Sequence, residues 1–280
     1  MAILITSDST CDLNAQQLQT HGIKLCSLVV VKGDGQFRDG IDICPDDIYA
    51  HVAAGGDLCT TAALNVSDYT EFFSQHAASY DAIIHLNISS HFSSCHQNAK
   101  LAATEYDNVY VVDSLNLSTG HGHLVLQAAE MAEAGMAADA IVDALNEMAP
   151  KVRASFVLEQ LEYMRKGGRC STVAALGANL LKLKPSIEVR DGKMGVSKKY
   201  RGTIEKCLKD YVADQLADLE SIRPERIFVT HSGMEQYVID MVVDLVKEKN
   251  YFKEICISRA GCTVSCHCGP GTLGVLFIEK

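Results

Sequence analysis

No stretch of this 280-residue sequence is apolar for long enough to cross a bilayer. Its first residues, Met1-Ala2-Ile3-Leu4-Ile5-Thr6-Ser7-Asp8, run a strand straight into a turn, without the basic and apolar regions of a secretory leader. Basic residues are thinly spread and the formal net charge is −10. That argues against nucleic acid or an anionic membrane as the main partner, since both need a concentrated positive face. Three catalytic or nucleotide signatures are also missing. There is no Gly-x-Ser-x-Gly elbow, no Gly-x-x-x-x-Gly-Lys-Ser/Thr loop, and no Gly-x-Gly-x-x-Gly after a strand. Repeats, low-complexity tracts and long linkers are absent as well. Cysteine, by contrast, is plentiful at eleven residues. Without a leader these are expected to be reduced thiols in a cytoplasmic protein.

With 48% hydrophobic and 21% charged residues, the chain has the composition of an ordinary folded protein. It is long enough for two compact domains or one large one. The first half alternates short strands with helical patterns. Strands are expected at Ala2–Thr6, Lys24–Val31, Ala82–Ile88 and Val109–Val112. Pro45 opens a helix through Ile48, Val52 and Ala53. Ser67 is placed to cap another, whose Tyr69, Phe72, Phe73 and Ala77 recur at helical spacing. Further helices start near Ser94 and cover about Thr119 to Ala134. Strands separated by crossover helices give a mostly parallel, Rossmann-like sheet with flanking helices. In such sheets ligands sit beyond the carboxyl ends of strands.

From about Pro150 the rhythm changes. A strand at Ala154–Leu158 precedes a short helix to Arg165 and the Gly167-Gly168 break. Thr172 to Leu183 is unusually apolar and small, the pattern of a buried helix that leaves room for a long apolar ligand. Asp191-Gly192, between Ile187–Val189 and Met194–Val196, is suited to a type I′ hairpin turn. Helices near Ile204–Leu219 and Glu235–Lys247 flank a strand at Ile227–Thr230, and strands at Ile255–Ser258 and Leu273–Ile278 close the sheet. The expected fold is therefore α/β in two domains: residues 1–150 with a parallel sheet, and residues 151–280 with a mixed sheet.

Three segments put a small hydroxyl or an imidazole at expected tight turns: Thr60-Thr61, Ser89 to Ser94, and His267-Cys268-Gly269-Pro270-Gly271. Hydroxyls, free backbone N–H groups and one titratable ring suit a carboxylate or phosphate head group. Ser93 and Ser94 also start a helix, whose unpaired donors favour a negative oxygen. Each segment has a plainer reading as a strand exit, a loop or a turn. Arg169 and Arg201 are the clearest basic residues near chain breaks, placed either on open surface or against an anionic head group or partner. Cys262, Cys266, His267 and Cys268, with Cys59, invite a zinc reading. Adjacent ligands and the lack of a second Cys-x-x-Cys knuckle speak against it. A hydrolase would need Ser93 or Ser9 as nucleophile, His267 or His231 as base, and Asp8 or Asp113 as orienter.

Taken together, these positions make the chain resemble the DegV family of fatty-acid-binding proteins from end to end. The resemblance rests on Asp8-Ser9-Thr10-Cys11-Asp12-Leu13, Ser89-Ser90-His91-Phe92-Ser93, Val112-Asp113-Ser114, and Leu161 to Arg169 with its Lys166-Gly167-Gly168-Arg169 block. It continues in Lys184-Pro185-Ser186-Ile187, Asp191-Gly192-Lys193, Arg201-Gly202 and His267-Cys268-Gly269-Pro270-Gly271. It implies a two-domain α/β protein with a long-chain fatty acid between the domains and no other cofactor. Thr61 and Ser93 would hold the carboxylate, with Ser94, His267 and Gly269 at the lipid site. His267 and Arg201 would lie near the head group, and Arg169 on a partner-facing side. It also implies a non-catalytic carrier that delivers the acid to a separate ATP-dependent kinase for acyl phosphate formation in phospholipid metabolism. A stand-alone lipid-binding regulator or transporter is the other reading. The family's Thr-Ser-Gln-Pro-Ser loop is here Thr61-Ala62-Ala63-Leu64-Asn65, its Leu-Ser-Gly is Phe92-Ser93-Ser94, and Cys266 and Cys268 replace threonines beside the histidine.

Overall fold

The computed structural model describes residues 2–174 and 183–280. The chain begins β1 (Ile3–Asp8), α1 (Ala15–Thr20), β2 (Lys24–Cys26), β3 (Val29–Lys32), β4 (Gly35–Arg38), α2 (Pro45–Ala53) and β5 (Thr60–Ala62). It continues through α3 (Val66–Ser74), β6 (Ala82–Asn87), α4 (Cys95–Ala103), β7 (Val109–Asp113), α5 (Ser118–Glu133) and α6 (Ala138–Met148). Then come β8 (Val152–Val157), α7 (Leu161–Gly167), α8 (Ser171–Ala174), β9 (Leu183–Arg190) and β10 (Lys193–Arg201). The last elements are α9 (Ile204–Gln215), β11 (Arg226–Ser232), α10 (Gln236–Lys247), β12 (Glu254–Arg259), α11 (Cys262–Cys268) and β13 (Thr272–Ile278).

Strands β2-β1-β6-β7 form one sheet, parallel throughout. β1 and β6 are buried almost end to end, as a parallel strand covered by helices on both faces must be. The later strands form a six-stranded sheet, β10-β9-β8-β13-β11-β12, in which β11 and β12 run parallel and the other pairs antiparallel. Parallel and mixed sheets thus follow each other along the chain, as the pattern of elements predicts. Asp191 and Gly192 join β9 to β10 at φ 48° and 76°, the left-handed pair that a type I′ turn demands.

Several local expectations need correction. Lys24–Val31 is not one strand. It breaks at Leu28, whose N–H is taken by Ser9 Oγ and whose carbonyl accepts from Asp39 N. β2 therefore stays in the parallel sheet, while β3 enters a separate antiparallel sheet, β4-β3-β5. Thr60-Thr61 is accordingly an edge strand rather than a loop. The cap of α3 is Asn65, not Ser67: Asn65 Oδ1 accepts from Asp68 N, and Asp68 Oδ2 accepts from Asn65 N. That reciprocal box outcompetes a single serine. His267 lies in the last turn of a helix, not in the glycine turn that follows it. Most of the small apolar run, residues 175–182, lies outside the described residues.

α5 is the axle between the sheets. Its first turns are buried all round, because β1 and β6 lie on one side and β8 and β13 on the other. Gly122 lets it approach Cys11 O, where a Cβ would come within 2.6 Å. Thr119 Oγ1 meets Thr230 Oγ1 at 2.5 Å, and His123 Nε2 donates to Leu276 O at 3.0 Å. Both bonds tie the first half of the chain to the second.

Burial pushes the imidazole of His123 down to about 4 and that of His85 down to about 3, and lowers His121 too. These rings are neutral in the fold and take protons on unfolding below about pH 6.5, so stability falls as pH drops from there. Burial lifts Asp12 the opposite way, to about 8. Its contribution therefore falls as pH rises from about 4 towards 8. These histidines outweigh one aspartate on the acid side, and above about pH 7, where they are neutral in both states, the opposing contribution of the aspartate remains. The melting temperature should peak near pH 6.5. A monotonic rise from pH 7 down to pH 4.5 would contradict this assignment.

Candidate functional site

The serine turn follows β6 and is held from several directions. Asp8 Oδ2 accepts from Ile88 N at 2.8 Å, Asn116 O accepts from Ser89 N at 2.9 Å, and Asp113 accepts from Ser90 N at 3.2 Å. Ser89 Oγ donates to Gly192 O, at the tip of the β9–β10 hairpin, at 2.8 Å. The turn thus stands at the carboxyl end of the parallel sheet and touches the second half of the chain. Ser93 Oγ accepts from Cys95 N at 3.2 Å and donates to Cys95 Sγ at 3.1 Å. The first-turn N–H groups of Ser94, His96 and Gln97 have no partner among the described residues.

Beside this turn lies a cavity of about 660 Å³. Thr61, Ser93, Ser94 and His267 give it a polar side; Leu28, Ile88, Phe92, Leu117, Met164 and Val264 give it an apolar one. Both halves of the chain contribute. A smaller space of about 30 Å³ shares Leu117, Val264 and Cys268 with it and reaches Phe156 and Leu276 between the sheets. Thr61 Oγ1 and His267 Nε2 are 2.8 Å apart, joining β5 to α11. Burial and the neighbouring Arg169 push His267 down to about 4, so the ring is neutral near pH 7.

Two glycine blocks far apart in the chain explain how α7 and α11 come so close. A Cβ on Gly167 would collide with His267 Nδ1, and one on Gly269 would lie 2.5 Å from the Tyr163 ring. Each helix therefore presents a glycine to a ring of the other. Gly269 also ends α11 at φ 73°, a positive φ that favours glycine. It is part of the frame rather than of the cavity lining.

Of the residues singled out from sequence, the structure brings Thr61, Ser93, Ser94, His267 and Arg169 to one cavity. Arg169 stands at its rim, donating through Nη1 to Gly167 O at 2.7 Å. Arg201 ends β10, exposed and outside the lining. The hydrolase constellation does not assemble: among the described residues neither Ser93 nor Ser9 is hydrogen-bonded to a histidine, and Ser9 Oγ donates to Asp39. Asp8 is fully buried, accepting also from Thr10 Oγ1 at 2.5 Å. Cys59, Cys262 and Cys266 pack with Val30, Ile43 and Ile48 in an apolar cluster, and burial raises all three thiols. No group of three metal-ligating side chains is found among the described residues. Sequence reasoning missed the apolar wall of Leu28, Leu117, Met164 and Val264, single residues on separate elements with no shared period.

The DegV family model, described as an uncharacterised protein family, matches residues 2–280. The chain belongs to the DegV family. A DegV domain-containing protein of Caldanaerobacter subterraneus is 31% identical over 281 residues, covering 99% of each chain, and one of Clostridium acetobutylicum is 32% identical with the same coverage. Among solved structures, a DegV family protein from Thermus thermophilus, described by its fatty acid binding, superimposes with a TM-score of 0.92 at 26% identity. DegV of Bacillus subtilis, described as a fatty acid binding protein, gives 0.88 at 27%. Both alignments cover 100% of both chains.

The interlocked glycines of this DegV chain make a differential prediction. Gly22 and Gly269 both sit at positive φ, but a Cβ on Gly22 meets open space. Gly22→Ala should cost about 1 kcal/mol from backbone strain alone, and Gly269→Ala on the order of 3 kcal/mol, because the Tyr163 ring must also move. Equal losses by denaturant titration would refute the interlock.

Proposed function

We propose that this chain binds a long-chain fatty acid in the 660 Å³ cavity, with its carboxylate at Thr61, Ser93 and His267 and its tail along the apolar wall. The observation that carries the reading is a single cavity with hydroxyls and an imidazole on one side and aliphatic and aromatic residues on the other. Its size falls in the usual range for small-molecule sites, about 300–1,000 Å³. The fatty-acid-binding relatives of the same fold support it. Burying a tail of about fourteen methylenes contributes on the order of 10 kcal/mol before ordering costs. The tail supplies affinity; the head group supplies orientation.

The head-group chemistry selects a histidine tautomer. His267 Nδ1 is buried without a hydrogen-bond partner among the described residues, so a proton there would be stranded. With the proton on Nε2, the ring donates to Thr61 Oγ1 and frees the threonine hydroxyl to donate to a carboxylate oxygen. Ser93 supplies a second hydroxyl. Losing one charge-assisted hydrogen bond of about 1.5–3 kcal/mol corresponds to roughly 10- to 100-fold in affinity. Thr61→Ala and Ser93→Ala should each weaken fatty acid retention by about that factor in a fluorescent-acid displacement assay. Native mass spectrometry of the wild type should show a co-purified acid. Unchanged affinity in both variants would remove the carboxylate from this end of the cavity.

The further step is delivery. The chain is read as a non-catalytic carrier whose residues 1–150 and 151–280 act as two domains around the acid, presenting it in the cytoplasm to a separate ATP-dependent kinase. The family resemblance and the exposed Arg169 at the cavity rim support this. Arg201, away from the cavity, then serves partner contact rather than the head group. Among the described residues no helix is long and apolar enough to cross a membrane. Acyl phosphate formed on mixing loaded protein, kinase and ATP, and reduced for Arg201→Ala with binding intact, is the expected result. No turnover with any kinase would favour a stand-alone lipid-binding regulator.

A further inference from the structure

Both partners of the Thr61–His267 hydrogen bond trace back to one buried carboxylate that touches neither. Asp39 Oδ1 accepts from Cys262 N at 2.8 Å and Asp39 Oδ2 from Thr263 N at 3.1 Å. These are the first donors of α11, the short helix that carries His267. Asp12 Oδ1 takes the preceding N–H, of Gly261, at 2.8 Å, and Ser258 Oγ donates to Asp12 O. Three successive donors at the start of α11 are thus met by aspartate side chains from more than 200 residues earlier in the chain. On its other side Asp39 holds the opposite wall. Ser9 Oγ donates to Asp39 Oδ2 at 3.1 Å and accepts from Leu28 N at 3.1 Å, and Asp39 N donates to Leu28 O at 2.8 Å. Leu28 lines the cavity and leads directly into β3, whose Val30 pairs with Thr61.

We propose that Asp39 is the positioning residue of the binding site: one carboxylate fixes the α11 wall against the Leu28–β3–β5 wall and so sets the Thr61–His267 geometry at the mouth. The inference rests on reading the cavity as the fatty acid site. A carboxylate is required because both of its oxygens accept from N–H groups. An amide of the same shape must turn its NH₂ towards Cys262 N or Thr263 N and lose at least one of those bonds. α11 is then free to tilt, and His267 lies about one and a half turns along it.

The test uses the full-length chain. Asp39→Asn should lose at least about tenfold in affinity for a long-chain acid, and the ¹⁵N signal of His267 Nε2 should shift away from its wild-type position in the unliganded protein. Ser155→Ala is the control. It cuts a buried network with Tyr211 and Gln215, none of which lines the cavity, and should lower the melting temperature while leaving both affinity and the His267 signal unchanged. Asp39→Asn with wild-type affinity and signal, or an affinity loss matched by Ser155→Ala at equal destabilisation, overturns the proposal. If Asp39→Asn does not fold, Ser9→Ala decides. It removes only the arm to Leu28 and should weaken binding by about threefold or more; unchanged affinity again overturns the proposal. A wild-type chain that binds no acid defeats the proposed function instead, so the two failures are distinguishable.

Discussion

A cavity closed by two sheet systems buries backbone donors and acceptors along the seam, and each must find its partner in the other half of the chain. An unmet buried donor costs about 1–3 kcal/mol, against a total stability of about 5–15 kcal/mol. A few such groups therefore decide whether the halves dock in one way or several. The chain meets the requirement with short polar side chains: Ser89 to the hairpin tip, Thr119 to Thr230, His123 to Leu276, and Asp12 with Asp39 at the start of α11. Apolar layers could slide by a fraction of a side chain. These bonds cannot, and so they give the cavity its shape.

Electrostatics and packing meet at His267. The last turns of α7 and α11 converge there, and their carbonyl ends would favour a positive ring. Burial wins: with Arg169 adding repulsion, the imidazole is neutral near pH 7. Gly167 brings α7 close enough to shield Nδ1 from water, and Arg169 takes the Gly167 carbonyl that would otherwise be left at the helix end. The same glycine that permits close packing thereby keeps Nδ1 out of water beside an uncharged ring. Such a ring is a directional hydrogen-bonding partner of Thr61 rather than a free cation.

Much of this was legible in the sequence where the signal is local. The alternation of strands and helices gave the parallel sheet, Asp191-Gly192 gave the hairpin, and the hydroxyl and imidazole positions gave Thr61, Ser93 and His267, which share one cavity. What failed was contact between distant segments. Lys24–Val31 looks continuous until Ser9, nineteen residues upstream, is known to hold Leu28 N. Ser67 is a reasonable cap until Asn65 and Asp68 are seen to satisfy each other. Asp39 has no local mark at all, because its partners on α11 are more than 220 residues away. The glycine blocks were noticed as motifs, but their meaning, each facing a ring on the other helix, belongs to packing.

The replaced loop residues sharpen the head-group argument. With Ala62 and Ala63 in place of polar side chains, the β5 side offers an incoming carboxylate little beyond Thr61. A carboxylate has about four lone-pair sites to satisfy, so on the proposed reading the serine turn would provide most of the rest. It has the means. The N–H groups of Ser94, His96 and Gln97 are unpaired within the described chain. The Ser93 hydroxyl directs its proton at a thiol sulfur, a weak acceptor. Redirecting that proton to a carboxylate oxygen gives up a weak bond for a charge-assisted one, while the Cys95 N–H bond keeps the oxygen in place. In the proposed site, carboxylate binding would then need only a hydroxyl rotation at Ser93, with no movement of the turn that Asp8 and Asp113 hold.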